Sequence, residues 1–229
     1  MTTIIVGDFD HNEVLERVIR EFDFRGRENF ENPEFEIDRP AGETKYIETK
    51  AQINTGFVII GYLGEAACAI RENIGLEMAS IILGEGQSSR LFKNLIERAQ
   101  EPVFNLVSAD FYNFRDGSNL FVQANFDASK KDEAIELLKE EIRKVVEDGI
   151  DEKEFEKAKK RLKVNFAEEA ETVSDIGETI GYYMTVCNNL ELVEEYLEEL
   201  EKFSIDDFKE IVKKYLPVKN AVISVLMPE

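Results

Sequence analysis

The sequence holds a single histidine, His11, two cysteines and no tryptophan in 229 residues. Serine and cysteine hydrolases normally need a histidine base. A catalytic zinc site normally takes two or three histidines. The chain can hardly build either alone. Cys68 and Cys187 form no C-x-x-C pair and are too few for a disulfide framework. Both read as small buried hydrophobes. Basic residues are scarce: 28 Lys+Arg stand against 48 Asp+Glu, a formal charge of -20. Such a field repels phosphate backbones and argues against a nucleic-acid partner, while favouring solubility. No run approaches the ~18 apolar residues of a membrane span. The opening MTTIIVGDFDHNE lacks a basic leader and a small-residue cleavage site. A cytoplasmic setting is the expectation, with no membrane partner. Glutamine is sparse beside abundant Glu and Lys, which leans toward a heat-adapted source.

What is present is a globular composition, 43% apolar and 33% charged, long enough to bury a core without disulfide staples. Asp8-x-Asp10-x-Asn12 begins like a calcium loop, but Glu13 stands where glycine is required and Ile19 where the bidentate Glu belongs. The same residues suit a helix start, with Asp10 as N-cap and Glu13 closing a capping box. His11 then falls on a solvated first turn.

Periodicity orders the rest. Residues 2–6 form a short β-rich run. Val14, Leu15, Val18, Ile19 and Phe22 mark one face of a helix over 11–23. Residues 24–45 are charged and aperiodic, as a linker is. Residues 46–62 read as two strands, or as one long strand entering a buried sheet. A helix over 66–83 ends at Gly84-Glu85-Gly86, and another starts at Ser88-Ser89 and stops before Pro102. Residues 103–114 and 118–127 read as strands joined at Asp116-Gly117. Helices are expected at 129–148, 151–172, 174–188, 190–202 and 204–215, then a last strand over 221–226. The aromatics of the two hairpin strands, Phe104, Phe111, Tyr112, Phe114, Phe121 and Phe126, read mostly as core. The Glu runs at 168–171 and 191–201 read as solvated helix faces or, alternatively, as an acidic wall for basic peptides. The fold class is α+β, with an antiparallel-rich sheet of about five or six strands and helices mainly on one face.

Three stretches carry a family resemblance. Leu83-Gly84-Glu85-Gly86-Gln87-Ser88-Ser89-Arg90-Leu91-Phe92 is similar to the glycine loop and S-S-R-L-F of the M16 zinc metallopeptidases. That group includes pitrilysin, insulin-degrading enzyme and mitochondrial processing peptidase. Met1 to Asp8 resembles the family's N-M-T-L-V-V-V-G-D strand. Gly149 followed by Asp151 to Lys159 resembles its G-x-T-x-E-E-L-x-x-A-K helix opening. Family members pair homologous α+β domains. One binds zinc through H-x-x-E-H, and the other lacks the metal and helps enclose the peptide.

The resemblance is to the second, non-catalytic domain. It implies that this chain is inactive alone, has no cofactor, and has its zinc in a missing catalytic domain or partner subunit. It implies a peptide substrate and three regions. Residues 1–24 would be a strand and helix continuing from an upstream domain, 25–45 a linker, and 46–229 the inactive domain. Met1 would then be internal to a longer chain, or the chain would be a separate subunit. By the same analogy, the 11–23 helix would cover the back of the sheet. An open strand at 2–6 would favour a homo-oligomer. The alternative is a structural subunit without a proteolytic role, like the core proteins of the respiratory cytochrome bc1 complex.

Two readings of Gly84, Gly86, Ser88, Ser89 and Arg90 stay open: a substrate-binding chamber loop, or a helix end and the next helix's cap. The substrate-holding Arg and Tyr of active members fall on Ile96 and on Val103 or Phe104, so neither residue type is kept.

Overall fold

The computed structural model describes residues 2–22, 36 and 42–229. Most of the expected linker at 25–45 lies outside the described residues. The sheet has five strands: β1 (Lys45–Ala51), β2 (Gly56–Gly64), β3 (Phe104–Phe114), β4 (Gly117–Phe126) and β5 (Val222–Pro228). Their order across the sheet is β1-β5-β2-β4-β3. β2 with β4, β2 with β5, and β3 with β4 run antiparallel; β1 with β5 is parallel. The sheet is therefore mixed, and antiparallel-rich as expected. The stretch at 46–62 resolves into two strands because Gln52 to Thr55 break the run, and β1 pairs with the distant C-terminal strand instead of with β2.

Among the described residues, seven α-helices accompany the sheet: α1 (His11–Glu21), α2 (Ile70–Gly84), α3 (Lys131–Glu147), α4 (Glu152–Glu168), α5 (Val173–Tyr182), α6 (Glu191–Lys202) and α7 (Ile205–Tyr215). Three begin in capping boxes that close in both directions, at Asp151, Thr172 and Ser204. Asp10 caps α1 by accepting from the amides of Asn12 and Glu13 at 3.0 Å each. His11 is exposed there.

α2 runs through the centre, with Ile74, Leu76, Met78, Ala79 and Leu83 all buried. Its partner α7 offers Phe208, Ile211 and Val212. A Cβ at Gly75 would lie 2.7 Å from Ile211 Cδ1, so only glycine allows the two helices this close. β4 alternates strictly. Leu120, Val122, Ala124 and Phe126 are buried toward the helices, and their neighbours are half-buried on the opposite face.

Among the described residues no helix covers that opposite face. Register places Ile47, Ser224, Ile59, Gln123 and Ser108 in line across it. Ile47, Phe57, Ile59, Leu106 and Val222 are all exposed.

Three expectations are corrected here. Residues 2–6 form no strand; they run along α5, where Ile4 and Val6 meet the small faces of Gly181 and Gly177. The homo-oligomer expectation thus loses the edge it rested on. α1 has no buried residue, so it does not cover the sheet's back. The hairpin aromatics divide: Phe104 and Phe126 are core, while Tyr112 and Phe114 are exposed.

Candidate functional site

The glycine loop follows α2. A Cβ at Gly84 would fall 1.9 Å from the Ala109 nitrogen, so glycine is what lets the end of α2 touch the backbone of β3. Gly86 takes φ +72°, a conformation that ordinary side chains resist. Beyond it the chain enters a short π-helical turn, Phe92–Glu97.

The other loop residues are engaged by neighbouring groups. The Ser89 hydroxyl donates to the Gly86 carbonyl at 2.8 Å, closing the turn. Ser88 accepts from the Lys157 ammonium. Arg90 donates to both oxygens of Glu154 at 2.8 and 2.7 Å, and to the Gly149 carbonyl at 3.0 Å. Glu154 is also half of the capping box with Asp151. Two stretches that look independent in the sequence, 83–92 and 149–159, therefore form one joint: Arg90 clamps the start of α4. Arg90 beside it holds the Glu154 carboxyl below the usual range, against the opposing effect of burial. Of the five loop residues, Gly84 and Gly86 border open space, and Arg90 is already engaged.

Ile96 packs against the core, and Val103 and Phe104 are buried within it. These side chains present no polar group to a substrate. The adjacent Asn94 instead donates to the buried Glu141 at 2.7 Å. The cysteines are not core: Cys68 is exposed and Cys187 is half-buried.

Along the outer edge of β3 lies a groove of about 330 Å³, bounded by Gly84, Gly86, Ser108, Asp110 and Asn165. It adjoins a larger cavity of about 710 Å³ among α2, α4, α5, α6 and β3. Glu77, Phe111 and Asn165 line both. Glu77 sits at the cavity floor. Its flank is half-buried, but its carboxylate is packed deep among protein atoms. Burial pushes that carboxyl up to about 7, opposed by the Tyr196 hydroxyl, which donates to it at 3.1 Å. Burial and the neighbouring Glu178 likewise raise Glu169 at the rim. Sequence reasoning offered the Glu run at 168–171 as an acidic wall but missed Glu77 and the tyrosines that complete the cluster. The one signal for Glu77 is an acid inside the apolar run of α2.

His11 is exposed on α1, and the described residues contain no cluster of three or more His, Cys, Asp or Glu placed to hold a metal. No helix among them is long and apolar enough to cross a membrane.

Residues 1–162 match the family described as Peptidase M16 inactive domain. The chain belongs to the M16 peptidase family, as its inactive-domain type. It is 26% identical to the mitochondrial-processing peptidase subunit alpha-2 of Dictyostelium discoideum over 97% of this chain and 50% of that protein. The M16 chain described here thus spans about half the length of that relative. A protease from Helicobacter pylori superposes with a TM-score of 0.81 at 19% identity, covering 97% of this chain and 54% of the other. A chain of complex III2 from Candida albicans gives 0.74 at 16%, covering 97% and 53%. At such identities the likeness to solved structures establishes the fold.

Proposed function

We propose that this M16 chain is the non-catalytic half of a zinc metalloendopeptidase, closing over peptides and positioning them for a separate H-x-x-E-H domain. The observation that carries the reading is the uncovered sheet face, with Ile47, Phe57, Ile59, Leu106 and Val222 exposed on it. An apolar face of this kind marks an interaction surface. The family relation and the half-length match favour a catalytic M16 domain or subunit as its cover. Zinc in that partner would supply the activated water. The residues of this chain would hold the peptide extended along the free edge of β3, where backbone groups can pair with an added strand. Gly86, where an added Cβ would meet nothing within 4 Å, keeps a side chain out of that groove. The setting would be cytoplasmic, and the chain alone would carry neither zinc nor activity.

The degenerate positions Ile96, Val103 and Phe104 favour a second reading, a structural subunit of M16 fold. One experiment separates the two: purify the native protein through an antibody to this chain, then measure intact mass, zinc and co-purifying chains. A product of about double the mass, or a complex, with stoichiometric zinc and chelator-sensitive peptidase activity supports the first reading. A zinc-free product without a zinc-bearing partner overturns it. Ile59→Asp, on the open face, should release a separate catalytic subunit.

A further inference from the structure

The 710 Å³ cavity has a one-sided chemistry. Among the described residues, five carboxylates line it, including Glu77, Glu169 and Glu178, with no Lys, Arg or His. Two polar atoms within its lining residues, the Tyr182 hydroxyl and the Asn113 side-chain carbonyl oxygen, are fully buried and have no hydrogen-bond partner. Buried polar atoms are nearly always paired, so both stand out as exceptions within the residues of the cavity wall. The aromatic walls are ordered: Phe166 and Tyr196 stack at 5.5 Å with planes 9° apart, and Tyr182 meets Tyr183 edge-on at 5.4 Å. Carboxylates and an amide oxygen accept hydrogen bonds, and aromatic faces attract positive charge. A ligand that satisfies them must bring donors and a charge of the opposite sign. The absence of a three-ligand cluster among the described residues turns this away from a metal ion.

We propose that this cavity binds an organic cation, an ammonium or guanidinium group on a short alkyl chain. The chain could belong to a free amine or to a basic side chain of a peptide. The cation would lie against Tyr196 and Phe166 and pair with Glu77. The site stands on its own lining and does not depend on the peptidase reading.

The chain lacks tryptophan, and three of its seven tyrosines line the cavity, so tyrosine fluorescence reports directly on occupancy. The titrants are agmatine, 1,5-diaminopentane, a blocked Gly-Arg-Gly peptide and, as neutral control, 1-pentanol. Saturable one-site binding of at least one cation is expected, with the alcohol inert. Glu77→Gln should weaken binding about tenfold, the loss of one charge-assisted bond. Glu169→Gln should weaken it less, and Glu198→Gln, an exposed residue paired with Lys202, should leave it unchanged. Binding of free amines alone, or of the peptide alone, supports the site and identifies its source. No saturation by any cation up to about 10 mM, corresponding to less than about 3 kcal/mol of binding, would overturn the proposal. So would equal binding of the alcohol, or equal weakening by Glu198→Gln. Failure here leaves the zinc and mass result for the native protein untouched, so the two readings fail separately.

Discussion

Replacing Glu77 with glutamine should stabilise the protein, by a margin that grows as pH rises from about 4.5 to about 7 and then levels off. In the folded chain, burial raises this carboxyl from an ordinary 4.5 to about 7. The native state therefore holds the proton more tightly than the unfolded state does. Between those two values stability falls as pH rises, because folding must either keep the proton or bury the charge. A shift of this size corresponds to about 3 kcal/mol, and solvation through the cavity reduces it to roughly 1–3 kcal/mol. Glutamine keeps an acceptor for the Tyr196 hydroxyl and removes the ionisation. In urea melts, E77Q should match the parent near pH 4 and exceed it by roughly 1–3 kcal/mol at pH 8. Glu169 is raised for the same reason and acts in the same direction. Equal stability differences at both pH values would refute the argument, as would a variant less stable than its parent at pH 8.

Further substitutions test the framework. Arg90→Ala strands Glu154, whose side chain is 31% exposed, and should cost about 2–4 kcal/mol in urea melts, with Arg90→Lys restoring only part. Gly84→Ala puts a methyl group into the Ala109 backbone and should cost about 3 kcal/mol or more, seen as a lowered melting temperature or loss of folded protein. Ser204→Ala removes the capping box of α7 and should cost about 1 kcal/mol. Burial and the adjacent Cys68 push the Cys187 thiol up to about 12, so iodoacetamide at pH 8 should alkylate the exposed Cys68 first, as peptide mapping would show.

The helical half of the fold was legible because its signals are local. Ser204 and Asp151 announce helix starts, and apolar spacing gives α3, α4 and α7. The 2–6 run misled for the opposite reason. A strand exists only through its ladder, and β-propensity cannot say whether a partner is present. α1 misled similarly: its apolar stripe is real, but what covers a stripe is not written in the stripe.

The sequence by itself determined the α+β class, the family and the absence of an H-x-x-E-H helix, since each depends on residue types at fixed spacings along one segment. The tertiary structure decided that Arg90 clamps α4 instead of facing a groove, and that Glu77, Glu169, Tyr182 and Tyr196 share one cavity. Those groups are up to 119 residues apart, as Tyr196 and Glu77 are, and sit on three helices and the turn after α4. Their meeting, and the burial that moves the Glu77 carboxyl, come from how the helices pack over the sheet, which the spacing within a segment does not encode.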